Sequence, residues 1–277
     1  MSQRTIVITG ASDGIGAAAA RTLASRGEHV VLVGRSPEKT AALGAELGAP
    51  FHVADYADLA QVRRLARELT DAYPRIDVLA NNAGGIMAGR TMTVDGFEKT
   101  FQVNHLAGFL LTHLLLPTLV ESRATVVQTS SRAASAFSRF DIDDLQNSRS
   151  YSPQRAYGNG KLENVLFTRE LHRRYAQHGL STAAFHPGVV GTNFGSESTL
   201  LMRAVYHTPL VKRLFTRTPD QGAAPLLWLL DSTPGKDWQS GEYYERYAVA
   251  RTAPAAYDDE LARRLWDESE RLVGAAV

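Results

Sequence analysis

The stretch "TGASDGIG", Thr9 to Gly16, sets the reading of the whole chain. An apolar, β-branched run, "TIVI", leads into it, and a helix-forming run, "AAAARTLASR", follows. Strand, glycine-rich turn and helix in succession make a βα unit. Gly10 permits a tight turn, while Gly14 and Gly16 let backbone approach a pyrophosphate. The helix N-terminus would add oriented N–H groups and partial positive charge. A plain βα turn uses the same glycines; the strand before and the helix after favour a dinucleotide. A P-loop is excluded, because no Gly-Lys-Ser/Thr follows.

The same alternation continues outward. Strands are expected at Thr5–Thr9, His29–Val33, Phe51–Val53, Val78–Asn81, Thr125–Thr129 and Thr182–His186. Helical patterns lie between them at Ile15–Arg26, Pro37–Leu47, Leu59–Ala72, Val94–Leu119 and Arg155–Gln177. This predicts an α/β fold: a single Rossmann-type, doubly wound parallel sheet of about seven strands with helices on both faces. Ligand sites in such a sheet lie at the carboxyl ends of the strands. Beyond the sixth strand, residues 193–230 read as mixed helix and loop, then "GEYYE" as a last strand and Asp258–Leu272 as a last helix. With no internal repeat, low-complexity tract or linker, one domain spanning 1–277 is expected.

The bulk numbers exclude several classes. The formal net charge is +1, so electrostatics imply no nucleic-acid partner. Cysteine is absent, which removes disulfides, thiol nucleophiles and iron–sulfur clusters. The eight His residues show no ligand spacing of the HExxH kind, so no metal is expected. "MSQRTIVITG" enters a strand without a signal or transit pattern, and "FLLTHLLLPTLV" at 109–120 is shorter than the roughly 20 residues of a membrane span. A cytoplasmic protein without an integral membrane segment is expected.

Chemistry-bearing residues cluster after the strands. After the second, "VLVGRS" places Gly34 and Arg35 where an acidic residue would bind ribose hydroxyls; Arg35 could instead grip a 2′-phosphate. Asp13, in the glycine turn, would oppose that phosphate. "NNAG", Asn81–Gly84, ends the fourth strand, and "QTSSRAA" puts Ser130 and Ser131 at the end of the fifth. "HPGVVGT" makes a sharp exit from the sixth. In "AYGNGKLENVLF", 156–167, Tyr157 and Lys161 share a helix face. The glycines between them cost about 1 kcal/mol each in a helix, so small side chains there imply close approach by neighbouring elements and cofactor.

In this order the motifs resemble the short-chain dehydrogenase/reductase family, in particular its retinol-dehydrogenase-like branch. The similarity runs through "TGASDGIG", Asp55, "NNAG", Asn104 in "FQVNHLAGFLLT", Ser131, "AYGNGKLENVLFTREL", "HPGVVGT", "TPDQGA" and "ARRLWDES", and covers nearly the whole chain. It implies a tetrad of Asn104, Ser131, Tyr157 and Lys161. Tyr157 would be the general acid/base, with Lys161 supporting it and gripping the nicotinamide ribose. Ser131 would bond the substrate oxygen, and Asn104 would hold a water linking Lys161 to solvent. Phenols titrate near 10, and a neighbouring ammonium or oxidised nicotinamide favours phenolate. The resemblance further implies cofactor contacts from Gly10, Ser12, Asp13, Gly14, Ile15, Gly16, Arg35, Ser36, Asp55, Asn81, Ala83, Gly84, Tyr157, Lys161, Pro187, Gly188, Val190 and Thr192. NADP is the expected cofactor, with NAD the second choice. The family has Ser before the Lys; Gly160 stands there instead. Its members often dimerise through the helices after strands four and five, and a homodimer is the corresponding expectation. The expected reaction is hydride transfer between nicotinamide and an alcohol or carbonyl, lipophilic because 193–218 is mainly apolar. The competing readings are a non-catalytic dinucleotide sensor or scaffold, and an epimerase or dehydratase.

Overall fold

A computed structural model describes residues 3–188 and 218–274. Its strands are β1 Thr5–Thr9, β2 His29–Gly34, β3 Phe51–Val53, β4 Val78–Asn81, β5 Thr125–Thr129, β6 Ser181–Phe185, β7 Glu242–Glu245 and β8 Ala248–Val249. They form one sheet in the order β3-β2-β1-β4-β5-β6-β7-β8. The pairings are parallel through β6–β7, and β8 returns antiparallel on β7. The expected parallel sheet is therefore present with one extra strand, and β6 starts and stops one residue earlier than expected. Strand order reverses between β3 and β4, which opens a crevice at the carboxyl ends of β1 and β4.

The principal helices are α1 Gly14–Ser25, α2 Pro37–Leu47, α3 Leu59–Ala72, α4 Lys99–Glu121, α5 Pro153–Tyr175, α6 Pro219–Asp231 and α7 Asp259–Leu272. Period-two alternation assigns side chains to the two faces of the sheet. Ile6 and Ile8 face the core under α1 and α6, whereas Val7, Val31 and Val33 face the core under α3, α4 and α5. Both cores pack on this one sheet. Within the expected segment 193–230, residues 193–217 lie outside the described residues.

Helix α4 starts five residues later than its apolar pattern implies. Gly96, at φ 80, breaks the run, and the Glu98 side chain accepts from the Thr100 and Phe101 N–H groups as an N-cap. Residues Gln102–Leu106 form a π-helical turn with Asn104 at its centre. By length and composition α4 could cross a membrane, yet it is mostly buried against the sheet, α3 and α5.

Candidate active site

The glycine turn after β1 is shaped by contact with "NNAG". Gly10 has φ 65, and a Cβ there would lie 2.9 Å from Ala83 Cα. A Cβ on Gly16 would strike the Gly10 carbonyl and come within 2.8 Å of Asn82 Nδ2. Asn82 Nδ2 donates to the Thr9 carbonyl at 3.0 Å, and its Oδ1 accepts from Thr129 Oγ1 at 3.1 Å. Thr9 Oγ1 accepts from the Asn82 and Ala83 N–H groups at 3.0 and 3.1 Å. Thr9, Asn82 and Thr129 thus clamp the ends of β1, β4 and β5 together. They are missing from the expected site, although "NNAG" carried the signal in its second Asn. Asn81 was an expected cofactor contact, but its side chain turns away: it is buried, and Nδ2 donates to Thr112 Oγ1 of α4 at 2.8 Å.

On the β2 side, Asp13 caps α1, accepting from the Gly14 N–H at 2.7 Å, and pairs with Lys39 Nζ at 3.3 Å. Its charge is therefore countered by a cation that sequence reasoning missed; Lys39 sits one turn beyond Arg35 and Ser36, and Ser36 caps α2. Gly34 has a packing cause. A Cβ there would strike Thr40 Oγ1 and lie 2.9 Å from Ser12 Cβ, so no carboxylate fits. Asp55 follows β3, and its Oδ1 accepts from the Ala57 N–H at 2.9 Å. Ser12 lies in the turn after β1, Ile15 in the first turn of α1, and Arg35 and Ser36 in the turn after β2.

At β4 and β5, Asn104 and Lys161 of the expected tetrad meet at Gly84, and Tyr157 stands beside Lys161. Gly84 has φ 156, and a Cβ on it would lie 2.6 Å from Asn104 Oδ1 and 3.0 Å from Lys161 Nζ. Asn104 is fixed by the Gly85 N–H (3.0 Å) and by its own Nδ2, which donates to the carbonyls of Gly85 (2.8 Å) and Thr100 (2.9 Å). Lys161 is buried; Nζ donates to the Thr129 carbonyl at 3.0 Å and lies 5.4 Å from the centre of the Tyr157 ring. Burial pushes its ammonium down to about 7. The two serines divide. Ser130 is buried and donates to the Lys161 carbonyl at 2.7 Å, while half-buried Ser131 receives the Ala133 N–H at 3.2 Å. Next to Ser131, Arg132 pairs with Glu245 at 2.6 Å and ties the end of β5 to the end of β7.

The poor helix formers in α5 answer to packing. A Cβ on Gly158 would meet Ser138 N at 2.7 Å and the Ala133 carbonyl at 2.9 Å; one on Gly160 would meet Asn104 Cβ at 3.0 Å. Asn159 bridges Asn147 and Arg139. The glycines let α5 dock against the 133–138 turn and α4, which offsets their cost in the isolated helix. Pro187 and Gly188 (φ 91) follow β6, and Val190 and Thr192 lie outside the described residues.

A doubly wound sheet whose glycine-turn cradle a Cβ would fill, opening on a buried lysine beside a tyrosine, is the architecture of a nicotinamide-dinucleotide oxidoreductase. A family model described as short chain dehydrogenase matches residues 4–200, and the chain belongs to that family. A Streptomyces sp. (strain C5) protein provisionally named a daunorubicin C-13 ketoreductase is 42% identical over 98% of this chain and 93% of its own. Human retinol dehydrogenase 13 is 37% identical over 98% of this chain and 85% of its own. The crystal structure of an uncharacterized Mycobacterium paratuberculosis protein is similar at 35% identity, with a TM-score of 0.77 over 99% of this chain and 94% of that one.

Proposed function

We propose that this oxidoreductase interconverts a lipophilic alcohol and its carbonyl with NADP(H), using Tyr157 as general acid/base. The observation that carries the reading is the convergence of Lys161 Nζ and Asn104 on Gly84 at the carboxyl edge of β4 and β5, with the Tyr157 ring beside Lys161. The bound dinucleotide supplies or accepts the hydride. Tyr157 holds the proton that the substrate oxygen gains or loses. Ser131 donates to that oxygen and stabilises its developing charge. Lys161, anchored on Thr129, orients the ribose and biases Tyr157 toward phenolate when charged. Asn104 lines the path by which that proton is replenished. The curated relatives are named for an alcohol, retinol, and for ketone reduction, in keeping with this reaction class. A panel of alcohols and ketones followed at the nicotinamide absorbance with each cofactor tests it. Tight cofactor binding with no net turnover across the panel would favour the sensor reading.

Cofactor choice follows from charge on the β2 limb. Arg35 offers a fork of donors, and Lys39 offsets Asp13, so a 2′-phosphate meets net positive charge there. Arg35→Ala is expected to weaken NADPH binding about tenfold, the equivalent of one charge-assisted hydrogen bond, and to leave NADH nearly unchanged. Fluorescence titration with both cofactors measures this; equal weakening of the two would remove Arg35 from the phosphate.

The helix pair expected to serve a dimer is covered by the chain itself. Trp266 of α7 packs edge-on against Phe109 of α4 at 5.1 Å and stacks on Phe167 of α5 at 5.6 Å. His105 Nε2 and Ser269 Oγ are hydrogen-bonded at 2.9 Å in the same layer. We therefore propose a monomer in place of the expected homodimer. Sedimentation equilibrium should return the mass of one chain, and a dimer mass at micromolar concentration would refute this.

A further inference from the structure

Position 160 is bare, and a glutamate lies over it. The Cβ that would fall 3.0 Å from Asn104 Cβ would also fall 3.9 Å from Glu163 Oε2. Glu163 is 1% exposed, and its Oε2 finds no hydrogen-bond partner among the described residues. A second carboxyl acts on it electrostatically: fully buried Glu98 at the head of α4, with Oε1 accepting from the Thr100 N–H at 2.7 Å and Oε2 from the Phe101 N–H at 2.9 Å. The Thr100 carbonyl in turn receives Asn104 Nδ2. Glu98 therefore holds the turn that presents Asn104.

Two buried carboxyls that sense one another's charge do not readily both ionise. Burial raises the Glu98 carboxyl too, but two N–H donors and a helix N-terminus oppose that rise. Glu163 has neither; burial first, and then the Glu98 charge, push its carboxyl well above the ordinary range. Of the other charged and titratable groups nearby, Arg90 and the neutral phenol of Tyr151 lie on the Glu98 side, and Lys161 reaches instead to the Thr129 carbonyl.

We propose that Glu163 is a positioning residue: it fills the space over Gly160 and holds Asn104 and its π turn in register with Lys161. The reading of Asn104 as part of the reacting site rests on the oxidoreductase function proposed above. The role is local: bare backbone at 160 admits α4, and the carboxyl from 163 restores the missing bulk and polarity.

Two variants and two readouts test this. Glu163→Gln keeps shape and neutrality and should retain kcat within about twofold, whereas Glu163→Met keeps length but not polarity and should lose about tenfold in kcat with unchanged cofactor affinity. Independently of turnover, the acid binds its proton more firmly folded than unfolded. Above its ordinary value of 4.5, wild-type stability therefore falls as pH rises, a penalty the amide lacks. The melting temperature of Glu163→Gln minus that of wild type should widen from about pH 5 to about pH 8. Wild-type kcat in Glu163→Met, a Gln variant as slow as the Met variant, or a flat melting difference would each overturn the proposal. A wild-type chain that binds cofactor yet turns nothing over would refute the oxidoreductase reading, and the melting comparison would still decide the state of Glu163.

Discussion

Replacing Tyr157 by Phe is expected to lower turnover by about 10²–10⁴-fold while cofactor binding stays within about twofold, because a positioned proton donor supplies an effect of that size. The ring is half-buried and stands beside Lys161 Nζ, and Phe preserves that packing. Only the hydroxyl is lost. Steady-state kinetics with the best substrate of the panel, together with a cofactor titration, separate the two effects. Retention of more than about a tenth of the wild-type rate would contradict a general acid/base role.

Replacing Lys161 by Met should damage both functions at once, lowering turnover by at least about 10²-fold and weakening the cofactor, since one ammonium serves Tyr157 and the ribose. Its effect on stability has the opposite sign. Burial depresses the Lys161 ammonium from 10.5 to about 7 in the cofactor-free protein. Between those values the unfolded chain still binds the proton and the folded chain does not, so wild-type stability rises with pH across that window. Below about 7 the folded chain carries the charge buried, at full desolvation cost. The cofactor-free Met variant is therefore expected to melt above wild type at about pH 6, by a margin that shrinks toward about pH 9. Melting curves across that range, beside kinetics and titration at one pH, measure all three effects. Unchanged rate and cofactor affinity would return the Tyr–Lys pair to a structural role.

The strands were legible because those in the middle of the sheet are buried on both faces, and β-branched runs bounded by turns mark such strands. β8 escaped for a definite reason. Its two-residue turn places Arg246 and Tyr247 at φ 49 and 68, a conformation that Gly or Asn ordinarily signals. The start of α4 was misread because apolar spacing carries on through Gly96, where the helix does not. Within the site, the Tyr157–Lys161 spacing was readable as two side chains on one helix face. Nothing in "NNAG" says which amide turns inward to Thr112 and which clamps Thr9.

Local chemistry therefore settled the βα turn, the succession of strands and helices, and the tyrosine and lysine on one helix face, because each depends on neighbours a few residues apart. Long-range packing settled the rest. Gly34 is bare because Thr40 and Ser12 close on it, and Gly160 is bare because Asn104 does. Asp13, in the turn between β1 and α1, meets Lys39 of α2. Trp266, from the far end of the chain, packs on Phe109 of α4 and Phe167 of α5. Lys161 loses its ordinary proton affinity through burial alone. Contact across large sequence separations and exclusion from water are properties of the assembled layers, and no local spacing encodes them.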